Sequence, residues 1–431
     1  MIVRAKTFYK ILLFLLVFLP IYQDSPLSIY LGAAGYTILM PFALIAIVFH
    51  VLLTKKFPSN PRLKELLKLG CYLTIISSIA IFIWLICGGS LTVLSEFLPM
   101  KAFKVCLQYF SYPAYIALVL TAARKTGTEY IGKYSYVTLI FITLICIIEK
   151  LQSPYAFQGL HFAGGFPYWR IRLLTTEASW TTMMIYVYTT LSLYWSQFYN
   201  KRVEKFAILA CSLVLLASTG SKTLMMSIII TVIIYIVMAL KRLQRKTLAK
   251  LFGAAAAMGV FAITLLPTLL ESFVGDIEQY TSVATRLYTC IIGFMVGVCF
   301  PCGVGGAVYL GIFQNALSRY LYIFTKLPIK FNTSEIVGMT ESSTDAALTV
   351  KSGILHYNMY WGILGTTFLI GNFMKVTSEL KKNRVRYTDI LLTAFWCTVI
   401  MMIFACDFTF EFWLLYAFIV CLNEYSLRKE D

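Results

Sequence analysis

Charge is what this chain lacks most. Only 13% of its 431 residues are Asp, Glu, Lys or Arg, against 59% hydrophobic, and the mean hydropathy is +0.77. Soluble domains carry about 25% charged residues, so a water-soluble fold of this length is excluded. Histidine is scarce as well, at three residues. No P-loop, dinucleotide glycine fingerprint, HExxH or GxSxG occurs, which removes nucleotide-driven, metalloprotease and serine-hydrolase chemistry. There is no internal repeat, low-complexity tract or Pro/Ser linker, and residues 1–431 read as one polytopic domain.

What is present is a series of apolar runs of membrane-crossing length. Twelve spans are expected near 11–22, 29–53, 69–88, 105–122, 135–149, 178–199, 206–219, 223–240, 251–270, 352–372, 390–406 and 409–423. The first follows Arg4, Lys6 and Lys10 with no small-residue cleavage site, as in an uncleaved first helix. The net charge of +17 sorts to one face. Segments 1–10, 54–68, 123–134, 200–205, 241–250, 375–389 and 424–431 hold 26 of the 37 Lys and Arg and 8 of the 20 Asp and Glu, a balance of +18. Everything else balances to −1. That asymmetry is the positive-inside signal; it places both termini in the cytoplasm and makes a nucleic-acid partner unnecessary. The fold class is therefore an all-α integral membrane bundle of about twelve transmembrane helices.

Three segments on the outer side stand out. Residues 89–104 read as an amphipathic piece along the interface. Residues 150–177 are rich in Gly, Pro and aromatics, among them Tyr155, Phe157, Phe162, Phe166, Tyr168 and Trp169. These suit an interfacial belt or stacking on sugar rings. Residues 271–351 form the largest loop, and long ordered loops usually carry function. Cys299 and Cys302 have CxxC spacing there but no neighbouring His or carboxylate, so metal or redox chemistry is not indicated. The other cysteines fall mostly within spans, as small apolar residues.

The chemically expressive residues sit at the outer boundary. Arg170 and Arg172 precede Glu177, which opens the sixth span; two guanidinium groups there suit a pyrophosphate, and equally a pair of headgroup anchors. Glu177 is a helix-opening carboxylate, an orienting partner for Arg172, or a base. Ser218 to Thr223 (STGSKT) is a tight turn between spans whose backbone N–H groups, with Lys222, suit an anion. Arg286 precedes an apolar stretch ending in the glycines of 300–306 (FPCGVGG), which let backbone come close to another chain or a ligand. His356, at the start of the tenth span, is a hydroxyl-activating base or a hydrogen-bonded structural histidine.

In this order these segments resemble the Wzy-type O-antigen polymerase and O-antigen ligase family. The resemblance runs from Arg172-LLTT-Glu177-Ala178-Ser179, with Ala178 where the family commonly has proline, through the 218–223 turn, with Lys222 for an arginine. It continues through Arg286 before a Pro-x-Gly-x-Gly element to His356-Tyr357-Asn358 leading into Trp361 to Gly365, and covers roughly residues 165–372. The resemblance implies a GT-C-like bundle in the bacterial inner membrane with a large extracytoplasmic loop at 271–351. It implies glycosyl transfer from an undecaprenyl-pyrophosphate-linked oligosaccharide to another lipid-linked repeat unit, with no cofactor and no metal. Arg170, Arg172, Lys222 and Arg286 would bind the pyrophosphate, and His356 or Glu177 would act as base. A chain-length regulator and a flippase are the partners such a polymerase works with. Two alternatives stay open on sequence: a ligase that moves glycan to a lipid or protein acceptor, and a lipid-linked oligosaccharide flippase.

Overall fold

The structure is a computed structural model that describes residues 2–31, 35–161, 169–240, 281–326, 331–345, 348–383, 385–404 and 406–427. The span expected at 251–270, the basic segment 241–250, and Phe162, Phe166 and Tyr168 lie outside the described residues. The chain is mostly helical. Three of its described helices, α4 (Pro61–Ile86), α5 (Leu98–Thr126) and α6 (Glu129–Gln152), are long and apolar enough to cross a membrane.

Sequence sets the helix ends. Asn60 caps α4 by accepting the N–H groups of Arg62 and Leu63 at 2.8 and 3.2 Å, and Pro61 follows it. The expected span at 29–53 is broken: after α2 (Ser28–Leu31), residues 36–38 are not α-helical, and α3 (Leu39–Thr54) starts late. Ser25 N–H, before α2, donates to the Tyr36 carbonyl, before α3, at 3.0 Å. The stretch 89–104 is not one interfacial helix. A two-residue hairpin, β1 (Thr92–Val93) with β2 (Glu96–Phe97), turns through Leu94 and Ser95 at positive φ, and Leu98 then opens α5 with Pro99 in its first turn.

Helix α5 is the bundle's axis, buried on nearly every side. Its tyrosines tie it to its neighbours through backbone carbonyls: Tyr109 to Leu66 at 3.1 Å, Tyr112 to Phe408 at 3.3 Å, and Tyr115 to Leu16 of α1 (Ile2–Phe18) at 2.9 Å. Each aromatic ring thus enters the core with its hydroxyl satisfied. The remaining long helices are α7 (Thr181–Phe198), α8 (Arg202–Thr219), α9 (Lys222–Leu240), α10 (Thr281–Cys299), α11 (Tyr309–Thr325), α13 (Gly353–Lys382), α14 (Thr388–Phe404) and α15 (Phe410–Leu427); α12 (Ser334–Glu341) is short.

The described part of 271–351 is helical rather than an open loop. Helices α10 and α11 form a hairpin that runs down the first turns of α13. Its tip fills a break in that helix. Gly362 has φ 68° and ψ −176°, which interrupts the i to i−4 ladder. The carbonyls of Met359 and Tyr360 instead accept the N–H groups of Val304 and Gly305 at 2.9 and 3.0 Å, and Leu364 N–H donates to the Pro301 carbonyl at 3.2 Å. A Cβ on Gly362 would lie 2.0 Å from that carbonyl oxygen, and one on Gly303 would lie 2.2 Å from the Tyr360 oxygen. On the far side Gly306 N–H donates to Ser77 Oγ of α4 at 2.9 Å, and Tyr72 Oη to the Cys302 carbonyl at 2.7 Å. The glycines expected to approach a chain or a ligand therefore approach this chain's own backbone. Cys299 and Cys302 are free thiols.

Gly362→Ala combines left-handed strain with backbone overlap, and should destabilise the protein by about 3 kcal/mol or more. Thermal unfolding in detergent reads this directly, with Gly371→Ala, where an added Cβ meets nothing within 4 Å, as the neutral control.

Candidate functional site

The segment leading into α7 has no regular structure, yet it is held from three sides. The Glu149 carboxylate, near the end of α6, accepts the backbone N–H groups of Arg172 and Leu173 at 2.9 and 2.7 Å. Thr175 donates to the Arg172 carbonyl through N–H and Oγ1 at 3.0 and 2.7 Å. Gln23 N–H donates to the Leu174 carbonyl at 2.9 Å, Gln23 Nε2 donates to the Glu411 carboxylate, and His161 Nδ1 meets Asp24 Oδ2 at 2.8 Å in a fully buried pair. This places Arg172 inside, 4% exposed, while Arg170 lies exposed on the surface. The two arginines expected to act as a pair thus sit in different environments.

Glu177 is not the first residue of the helix. It forms the turn before α7, with Trp180 N–H donating to its carbonyl at 3.0 Å. That turn meets α10. Arg286 Nη2 donates to Ser179 Oγ at 3.1 Å and lies 3.8 Å from Glu177 Oε2, and Ser179 Oγ donates to the same carboxylate oxygen at 3.2 Å. The Glu177 side chain is half exposed, so the pair opens to solvent.

The 218–223 turn packs beside it. Gly220 takes the left-handed conformation that ends α8, Ser221 Oγ accepts Leu224 N–H at 3.3 Å to cap α9, and it meets Thr182 Oγ1 of α7 at 3.2 Å. Lys222 is then the first residue of α9. A cation there opposes the helix macrodipole by about 0.3–1 kcal/mol, a position that favours an anion held nearby.

Two further charged residues join this group. Lys351 is tied to α10 by its N–H to Thr289 Oγ1 at 3.4 Å. Asp407 lies in the connection between α14 and α15, against the N-terminus of α13. There Gly353 N–H donates to the Cys406 carbonyl at 2.8 Å, and a Cβ on Gly353 would stand 2.6 Å from Phe408 N. Burial pushes the Asp407 carboxyl up to about 6, against the pull of Lys351 and Arg286, and Glu177 adds to the rise. Sequence reading passed over Asp407. The available signal was that it is the one charged residue between 390 and 410.

His356 stands apart. Its Nε2 meets Tyr360 Oη at 2.5 Å, and its ring packs against Tyr309, Tyr357 and Tyr360 on the side of α13 facing α11. Among the described residues it makes no hydrogen bond or ion pair to Glu177, Arg286 or Asp407. The structure therefore joins Arg286, Glu177 and Ser179 by direct contacts, sets Asp407 and Lys351 within electrostatic range of them, sets Lys222 and Arg172 on adjoining segments, and leaves Arg170 and His356 apart. Among the described residues no cluster of three or more His, Cys, Asp or Glu could hold a metal ion.

No family model matches the chain, and no curated protein or solved structure matches it either.

Glu149→Gln keeps the shape but puts an amide N–H against a backbone N–H that the carboxylate now accepts. One buried donor then loses its acceptor, at a cost of about 1–3 kcal/mol. Limited proteolysis should show faster cleavage within 169–177 in the variant, with the rest of the chain protected as before.

Proposed function

We propose that this chain is a polysaccharide polymerase of the O-antigen or capsule type, which moves a glycan from undecaprenyl pyrophosphate to the end of another lipid-linked repeat unit. In this reading it crosses the inner membrane twelve times with both termini in the cytoplasm, and the Arg286 cluster faces the outer side. The observation that carries the reading is the hydrogen-bonded group of Arg286, Ser179 and Glu177, with Lys222 and the N-termini of α7 and α9 beside it. Such an arrangement concentrates positive potential where an apolar bundle otherwise has little. A lipid-linked pyrophosphate fits it well, because its tail stays in the bilayer while its charged head reaches the helix ends.

The chemistry follows from the leaving group. Attack of an acceptor hydroxyl on the anomeric carbon breaks the bond to the phosphate oxygen, and the pyrophosphate departs with the electron pair. Arg286 stabilises the growing charge through its planar guanidinium, and Lys222 adds a point charge. Arg172, seated on Glu149, shapes the wall of the site, and exposed Arg170 meets the headgroup region. Glu177 orients Arg286 across the Ser179 hydroxyl. His356, packed on the α11 side of α13, lines the approach of the acceptor.

Arg286→Ala should lower polymer formation by about 100-fold or more, as expected for loss of a charge-stabilising donor. Arg172→Ala should also abolish polymer at normal protein level, whereas Lys222→Arg should retain it. The check is a surface-glycan ladder from a complemented deletion strain, normalised to protein level. Full ladders from both arginine variants would sink the reading.

A further inference from the structure

The group described above contains one carboxylate without an assigned task. Glu177 is engaged, since its Oε2 accepts from Ser179 and faces Arg286. His356 has Nε2 occupied by Tyr360. Asp407, by contrast, is half-buried and makes no hydrogen bond or ion pair to any described residue. It is held in place by its backbone. Cys406 accepts the first N–H of α13, Phe408 lies against Gly353, and Ser352 Oγ donates to the Met402 carbonyl at 2.8 Å. A carboxylate whose backbone is tied to the start of α13, within the field of two cations and without a hydrogen-bond partner among the described residues, has the character of a proton acceptor.

We infer that Asp407 is the catalytic base of the reaction proposed above, the residue that takes the proton from the acceptor hydroxyl. The inference rests on that reading of the site. As the hydroxyl oxygen bonds to the anomeric carbon and the bond to phosphate breaks, its proton passes to an Asp407 carboxylate oxygen. The pyrophosphate leaves with the electron pair, and the proton is later lost to water. Lys351 and Arg286 keep the carboxylate ionised, and burial and Glu177 raise its basicity to a value suited to neutral pH. The other titratable groups around it are Cys290 on α10, Cys406 beside it, Tyr112 on α5, and Tyr357 and Tyr360 on α13. Thiols and phenols are protonated and neutral near pH 6, so among these groups Asp407 is the one that changes charge there.

The sign is direct. The base must be ionised to act, so the rate should fall as pH drops through about 6.

The test uses the full-length protein in nanodiscs. The donor is the pyrophosphate-linked lipid pool extracted from a strain lacking the protein, and the readout is release of undecaprenyl pyrophosphate. Binding of labelled undecaprenyl pyrophosphate is measured on the same samples. Asp407→Asn should lower the release rate by about 100-fold or more, remove the acid limb of the pH profile, and bind undecaprenyl pyrophosphate within about two-fold of the parent. Asp407→Glu should restore part of the rate and an acid limb. Asp407→Asn that binds normally and keeps both rate and acid limb would overturn the inference. Loss of binding along with rate, in Asn and Glu variants alike, would also overturn it, by making Asp407 structural. No release by the parent protein would instead overturn the reading on which the inference rests.

Discussion

The fold turns on a set of backbone hydrogen bonds between Pro301–Gly305 and the broken stretch Met359–Leu364 of α13. A helix interrupted in an apolar bundle leaves carbonyl and N–H groups that no water can satisfy, at a cost of several kcal/mol each. The glycine-rich tip supplies the missing partners, and it can do so because Gly303 and Gly362 have no Cβ to collide. Seating the tip also fixes the helix that leads to it. Helix α10 lies along α13 by close approaches at Gly293 and Gly297, the latter against Asn358, whose amide donates to the Gly293 carbonyl at 3.2 Å. Arg286 rides two turns above those contacts. Its place beside Ser179 thus depends on glycines far from it in sequence.

Electrostatics at that end of the bundle follow the same logic. The helix-opening segments of α7 and α9 converge through Thr182 and Ser221, and α13 begins against Asp407. Unpaired N–H groups at such ends favour negative charge, and the nearby side chains Arg286, Lys222 and Lys351 have the same preference. The buried pairs on the other flank, Asp24 with His161 and Gln23 with Glu411, have a different task. Asp24 fastens the turn after α1 to His161 and the Gln23 backbone fastens it to Leu174, while the Gln23 side chain ties it to α15, so that the segment bearing Arg172 is set by contacts across the bundle.

Composition and periodicity made the helical, membrane-type character of the chain legible, because apolar runs and an asymmetric Lys and Arg distribution are local signals. They misplaced boundaries wherever a long-range contact decided them. Helix α6 extends past both ends of its expected span, and near its C-terminal end Glu149 reaches backbone donors at Arg172 and Leu173 that lie far along the chain. Residues 281–325 read as loop because a break at Gly362, more than fifty residues beyond the hairpin's tip at 301–305, is what gives the hairpin something to pair with. Arg286, Glu177 and Lys222 were visible as isolated polar residues at apolar boundaries. Asp407 was hidden in a two-helix connection, and its meaning comes only from neighbours on α10, α13 and the α7 turn. His356 was visible for the same reason as Arg286, but the aromatic packing around it gives it a separate setting.

The central claim is that this chain joins lipid-linked repeat units on the outer side of the membrane. The most direct measurement compares the surface glycan and the lipid-linked pool of a strain lacking the protein. The account predicts single repeat units on undecaprenyl pyrophosphate in the outer leaflet, and no ladder. Full-length polymer stranded on the lipid, or repeat units confined to the cytoplasmic leaflet, would contradict it and make the chain a ligase or a flippase.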